Sequence, residues 1–282
     1  MKMQSLGWNG FFEASFNSIK DAGLIPARVS CQHRDRYDIM GEGGELPATV
    51  AGRLRHLDDN SQYPAVGDWV AVKVSSDGGH AVIQHVLSRR TAFTRRAVKS
   101  GGMPETGGKT QEQVLAANID TVFLVSGLDR DYNVRRIERY LSVAWDSGAK
   151  PVVVLNKVDL CENPEDVRDE IAHVAIGADV EFVSATTGQN MAELWTWLSP
   201  GQTVGLLGSS GVGKSTIINF LLGEERQAIQ DVRTGDQRGR HTTTSRELIL
   251  LPNGACLLDT PGMRSFQPWT DEGGLSRTFE EI

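Results

Sequence analysis

The stretch Gly208-Ser-Ser-Gly-Val-Gly213-Lys214-Ser215 has the residue types and spacing of a phosphate cradle, GxxxxGK[ST]. Its glycines let the backbone fold tightly and turn successive N–H groups inward, which makes an anion nest. A helix opening directly after the loop adds the partial positive charge of its N-terminus. Lys214 supplies a mobile cation for the outer phosphates of a nucleotide, and the Ser215 hydroxyl can ligate Mg²⁺. Gly208, Ser209, Ser210, Gly211, Val212, Gly213, Lys214, Ser215 and Thr216 are therefore the candidate phosphate-binding residues.

A phosphate cradle does not name the base. Asn156-Lys157-Val158-Asp159 follows the apolar run Pro151–Leu155. A carboxylate at Asp159 can accept from both the ring N–H and the exocyclic amine of guanine. Adenine offers neither donor in that arrangement and would leave the carboxylate unpaired, a penalty that discriminates between the bases. This NKxD spacing resembles the guanine-specificity motif of the GTPases and singles out Asn156, Lys157 and Asp159. Ser184-Ala185, after the next expected strand, resembles the second base-contacting loop, where a backbone N–H meets the guanine oxygen.

Asp259-Thr-Pro-Gly262 resembles the DxxG element, in which Asp259 would hold Mg²⁺ through water and the Gly262 N–H would contact the γ-phosphate. Arg240-His241-Thr242-Thr243-Thr244 lies in the polar segment 224–246, of the kind expected for a first switch. Thr242 and Thr243 are both candidates for sensing the γ-phosphate, and Thr243 joins Ser215 and Asp259 as a candidate Mg²⁺ ligand. Many GTPases orient the attacking water with a Gln just after DxxG, where this chain has Met263. Slow turnover alone is the expectation, with His241 the candidate for the missing catalytic group.

These motifs require strand ends to hold them. Ile119–Val125, Pro151–Leu155, Val180–Val183, Thr203–Leu207, Leu248–Leu251 and Ala255–Leu258 read as strands, and the first, apolar apart from Asp120 and Thr121, as one buried on both faces. Helices are expected over Val134–Trp145, from the Asn163-Pro164 start to about Ile176, over Asn190–Leu198 and over Lys214–Leu222. Strand–helix alternation of this kind predicts a doubly wound α/β domain over 119–270. The motif order is rotated. A conventional GTPase runs from P-loop through switches to NKxD and SA, whereas here NKxD and SA come first. A circular permutation, with the old termini joined through about Ser199–Gln202, accounts for four intact motifs in cyclic order.

Upstream, Ile25–Cys31, Tyr37–Met40, Ala48–Leu54, Asp68–Val74 and His80–Val86 read as short strands separated by turn clusters. Five short strands behind an amphipathic helix at 6–20 predict a small Greek-key barrel over 1–88, of OB-fold or similar type. Residues 89–118 read as a basic, Gly-rich linker and 271–282 as the start of a C-terminal segment.

The chain has 282 residues, of which 39% are apolar and 23% charged, the composition of an ordinary globular protein. No apolar run is long enough to span a membrane, and Met1–Phe16 lacks the apolar core of a signal peptide, so a cytoplasmic monomer is the expectation. Cys31, Cys161 and Cys256 are too far apart for a disulfide framework or a CxxC zinc site. The net charge of −7 hides an asymmetry: 14 basic against 12 acidic residues up to Asn118, and 15 against 24 beyond it. Within the first part Arg89, Arg90, Arg95, Arg96 and Lys99 form a run without an acidic residue, a candidate RNA-contacting strip.

An N-terminal barrel followed by a permuted GTPase resembles the ribosome small-subunit-dependent GTPase A family across nearly the whole chain. Gly208-to-Thr216, Gly239-to-Thr244, Asn156-to-Asp159 and Asp259-to-Gly262 carry the resemblance. It implies an OB-fold that touches ribosomal RNA, use of GTP/GDP and Mg²⁺, and GTP hydrolysis stimulated by the small ribosomal subunit during its late maturation. The alternatives are a permuted GTPase acting on the large subunit or another RNP, and a P-loop nucleotidase without an RNA partner. The resemblance also implies zinc in a C-terminal domain of clustered Cys and His, for which 1–282 offer no ligand set.

Overall fold

Two glycine-broken segments open the chain. Gly7, at φ +89°, ends a 3₁₀ turn over Met3–Leu6, and Asn9 then caps α1 (Gly10–Asn17) by accepting the Phe11 N–H at 3.0 Å. The single helix expected over 6–20 is thus two pieces, because only glycine adopts that left-handed link at no steric cost. The computed structural model describes residues 2–19, 21–33, 36–55, 62–98, 110–223 and 246–259.

Alternating apolar residues then form β1 (Ile25–Gln32), β2 (Tyr37–Gly41) and β3 (Gly44–Val50). After the short α2 (Gly52–Arg55) come β4 (Trp69–Val74) and β5 (Ala81–Val86). The third strand starts at Gly44 and stops at Val50, earlier than its apolar run suggested. β1 is antiparallel to both β2 and β4, β2 to β3 and β4 to β5, while β3 runs parallel to β5. That order closes a five-stranded barrel with the OB pairing scheme. Val29, Ile39, Ala48, Val70, Val72 and Ile83 fill it. At its edge Cys31, His33 and Asp38 converge, and the 2.7 Å contact between His33 Nε2 and Asp38 already pairs imidazole with carboxylate.

The segment read as a linker carries structure at both ends. β6 (Ala92–Val98) and β7 (Thr110–Ala117) pair antiparallel as a two-stranded ribbon. The adjacent Arg95 and Arg96 at the centre of the first strand disguised it as a charge run. The Gly-rich stretch 100–108 lies outside the described residues.

The second half alternates as expected: β8 (Thr121–Gly127), α3 (Val134–Ser147), β9 (Lys150–Asn156), α4 (Pro164–Ala172), β10 (Asp179–Phe182), β11 (Thr203–Gly208), α5 (Lys214–Leu222), β12 (Glu247–Leu250) and β13 (Cys256–Asp259). The helix expected over Asn190–Leu198 is a 3₁₀ segment, Met191–Trp197. The helix after Asn163 ends at Ala172, short of Ile176. Asn133 caps α3 by accepting the Arg136 N–H at 3.0 Å, and Gly148 at φ +81° ends it. The sheet order is β10-β9-β8-β11-β13-β12, parallel except for β12. Phe123, Val125, Val152 and Val154 pack on one sheet face, and Leu124, Val153 and Leu155 on the other, so the central strands are apolar on both sides.

Barrel and α/β layer share one continuous sheet, because β1 meets β12 at Cys31 and Glu247. Arg28, 1% exposed, locks the seam. Its guanidinium donates to Leu6 O at 2.5 Å, Gly67 O at 3.1 Å and Asn118 O at 3.0 Å, and lies 5.7 Å from the Trp69 ring.

Candidate nucleotide-binding site

β11 is the central strand of the α/β sheet, with β8 on one side and β13 on the other. In an open α/β sheet, ligands bind at the carboxyl ends of strands where connections diverge. The P-loop, NKxD and SA elements meet there, together with Asp259, the first residue of the DxxG element. The loop Ser209–Gly213 leaves the end of β11 and opens α5 at Lys214. Asn156 ends β9, Ser184 follows β10 and Asp259 ends β13.

The loop's glycines are sterically required at two places. A Cβ on Gly208 would lie 2.4 Å from Val125 O, so only glycine lets the loop leave beside β8. Gly213, at φ +98°, would place a Cβ 2.1 Å from Asn156 Nδ2. A tight glycine loop that opens a helix in this way is the kind of backbone that can cradle a phosphate. Lys214 Nζ folds over the loop, donating to Gly208 O at 2.8 Å and Ser209 O at 2.5 Å. Ser215 and Thr216 follow on the first turn of α5.

Asn156, 2% exposed, ties three loops together. Its Nδ2 donates to Val212 O at 2.8 Å, and its Oδ1 accepts the Ala185 N–H at 3.0 Å. Lys157 adopts φ +66°, and its ammonium donates to Gly211 O at 2.7 Å and Asp129 Oδ2 at 2.5 Å. Asp159 is exposed on the next turn, Val158–Leu160. Ser184 is buried, and its hydroxyl accepts the Thr187 N–H at 3.2 Å. The register sets Asp259 beside Leu206 of β11, one strand over from the cradle.

Four residues that carry no motif complete the candidate site. Asp129 Oδ1 accepts the Asp131 N–H at 3.1 Å, and Asp131 in turn accepts from Arg136. Arg136 Nη1 donates to Ser209 Oγ at 2.8 Å, and the Tyr140 hydroxyl lies 3.5 Å from the same oxygen. Burial pushes the Asp129 carboxyl up, but the Lys157 ammonium and the Asp131 N–H outweigh it and hold the group below its ordinary range. Their signal in the sequence was faint: Gly127-Leu-Asp129-Arg-Asp131 directly after a buried strand at the sheet's centre.

The other candidates divide. His241, Thr242, Thr243, Gly262 and Lys99 lie outside the described residues, as does the Arg96 side chain. Arg89 does not belong to an exposed basic strip: it donates to both oxygens of the buried Asp68, at 2.8 and 2.6 Å, and to Tyr63 O. Arg90 reaches Asp120 at 3.3 Å yet stays half exposed, and Arg95 donates to Gln113 at 2.9 Å on the ribbon's exposed side. Burial, and then the charge of Arg95, pull the Arg246 pKa down.

Comparison with known proteins agrees with this geometry. A family model described as RsgA GTPase matches residues 86–269. The small ribosomal subunit biogenesis GTPase RsgA of Opitutus terrae is 48% identical over the whole of this chain and 77% of its own length. The protein of the same name from Methanosarcina acetivorans is 40% identical over 98% of this chain and 72% of its own. Among solved structures, YjeQ from Thermotoga maritima superposes with a TM-score of 0.61 at 24% identity, covering 85% of this chain and 75% of that one. YloQ, a circularly permuted GTPase, gives 0.58 at 19% identity, with 88% and 75% covered. The structural likenesses bear on the fold: a barrel joined to a permuted α/β domain. With the P-loop and NKxD strands meeting at one sheet edge, the chain belongs to the RsgA GTPase family.

Proposed function

We propose that this protein hydrolyses GTP to GDP and phosphate in the biogenesis of the small ribosomal subunit. The observation that carries the nucleotide reading is Asn156, whose one amide joins the phosphate loop at Val212 to the base loop at Ala185. Guanine and phosphate ends of one nucleotide are thereby addressed from a single strand edge. The printed names of the relatives supply the process.

The residues fit Mg²⁺: a hydroxyl, Ser215, opens α5, and a carboxylate, Asp259, ends the strand beside the P-loop. These two would hold the ion, with Thr243 the further candidate. The bound ion would neutralise charge on the β- and γ-phosphates. Lys214 is placed to leave its two carbonyl acceptors for those phosphates. The exposed Asp159 is placed to accept from the guanine ring N–H and amine, and the Ala185 backbone to sit against the base.

The finer reading goes beyond the family name. Met263 stands where a water-orienting Gln is common, so turnover is slow alone, and docking on the small subunit supplies the missing group, with His241 as its candidate. The barrel, Arg90 just before the ribbon and Arg95 on it face ribosomal RNA, together with Arg96 and Lys99. GTP favours the subunit-bound form and hydrolysis releases it. The protein works as a cytoplasmic monomer; among the described residues no helix is long and apolar enough to cross a membrane.

The deciding experiment measures GTP turnover with and without purified small subunits. Stimulation by small subunits and not by large ones supports the reading. Equal rates with both, or preference for ATP, overturn it.

A further inference from the structure

We propose that Asp129 and Arg136 are positioning residues that couple guanine recognition to phosphate binding, by bracing the base loop and the P-loop on one short turn. The inference rests on the guanine-nucleotide reading above.

Lys157 sits in the left-handed region, which a side chain other than glycine tolerates only when its surroundings hold it there. What holds it is its own ammonium, divided between Gly211 O of the P-loop and the Asp129 carboxylate. The conformation matters because Lys157 leads directly into Asp159, whose carboxylate must be aimed at the base.

The other oxygen of Asp129 accepts the Asp131 N–H, and the Asp129 carbonyl accepts the Tyr132 N–H at 3.0 Å, which fixes the turn. Gly127 packs closely behind it, since a Cβ there would approach Asp129 Oδ1 to 3.0 Å and press on the carboxylate. Asp131 anchors Arg136 through its side chain and its carbonyl. Arg136 then grips Ser209, two residues before the carbonyl that Lys157 takes.

The contacts close a ring: Gly211, Lys157, Asp129, Asp131, Arg136, Ser209 and back along the P-loop. A displacement of the base turn cannot occur without straining the loop that curls around the phosphates. Neither Asp129 nor Arg136 belongs to any motif of the nucleotide set. Their effect is exerted through Lys157 and Ser209, so the diagnostic readout is base selectivity and not affinity alone.

The test titrates purified protein with GDP, IDP and ADP by displacement of a fluorescent GDP, IDP lacking only the exocyclic amine. Asp129→Asn should weaken GDP binding about tenfold and shrink the GDP/IDP preference. Arg136→Ala, on the phosphate side, should shrink the same preference although it approaches no base-contacting residue. The double variant should lose no more than about twofold beyond the worse single one, because both cut the same ring. A general loss of folding would not change a ratio of two ligands. Should Asp129→Asn fail to fold, Arg136→Lys carries the test, since it keeps the charge but cannot reach Asp131 and Ser209 together.

An unchanged GDP/IDP ratio in these variants, or losses that multiply in the double, would overturn the inference while leaving the guanine reading intact. A wild-type protein with no preference for GDP over ADP would overturn that reading and the inference with it.

Discussion

Arg89 holds both carboxylate oxygens of Asp68, a residue whose side chain is fully buried, and so a cation that reads as part of an RNA strip serves the interior. Removing one member of a buried pair leaves the other charge without compensation. Arg89→Ala should cost about 3–5 kcal/mol of stability, read as a fall in the urea midpoint. Arg95→Ala, on the exposed ribbon, should stay within about 0.5 kcal/mol. Equal effects of the two substitutions would refute the assignment.

Arg28 should be as sensitive and harder to replace. Its three carbonyl acceptors come from the N-terminal turn, the barrel and the start of the α/β layer. A lysine has the charge but no planar fork, so it cannot serve three acceptors spread in this way. Both Arg28→Met and Arg28→Lys are expected to lower stability by roughly 3 kcal/mol. Full rescue by lysine in thermal unfolding would show that charge alone is needed.

Gly213→Ala should abolish nucleotide binding. The new Cβ would need φ near +98° and would meet Asn156 Nδ2 at 2.1 Å. The backbone term alone is about 1–2 kcal/mol. The clash also drives Asn156 from Val212 and Ala185. Isothermal titration with GDP checks this, and affinity within a factor of about three of wild type would contradict it.

Asp129 gives the site a definite pH response. Its carboxyl is held below the ordinary value of 3.8, so the folded chain binds that proton less readily than the unfolded chain. The contribution to stability is therefore complete above that ordinary value and is lost as pH falls through the depressed one. The stability difference between wild type and Asp129→Asn should be constant from neutral pH down to about 5 and shrink on further acidification. A gap that widens with acid would reverse the sign and refute it.

Much of the site was legible because it is local chemistry. The P-loop, NKxD, SA and DxxG elements each consist of a few residue types at a predicted strand end, and their cyclic order by itself implies the permutation. The strands of the α/β layer were legible for a related reason: both faces of β8, β9 and β11 are buried, so their apolar runs are unbroken. The ribbon β6–β7 escaped because its partners lie across a Gly-rich stretch and its consecutive arginines, Arg95 and Arg96, break the apolar alternation of a strand. Boundaries failed where a single glycine decided them, as at Gly7.

The sequence by itself determined the candidate nucleotide-binding motifs, their rotated order and the division into barrel and α/β layer. Those features depend on short-range spacing and on the periodicity of burial, which a linear chain displays openly. Tertiary structure alone decided which charges are partners. Lys157 meets Asp129 across 28 positions, and Arg136 meets Ser209 across 73. Arg89 finds Asp68 at 21 positions' remove, and Arg28 finds Asn118 at 90. An ionic or hydrogen-bonded contact is set by distance in space, and only the crossing of strands in the folded sheet converts those separations into 3 Å or less for each of these four pairs.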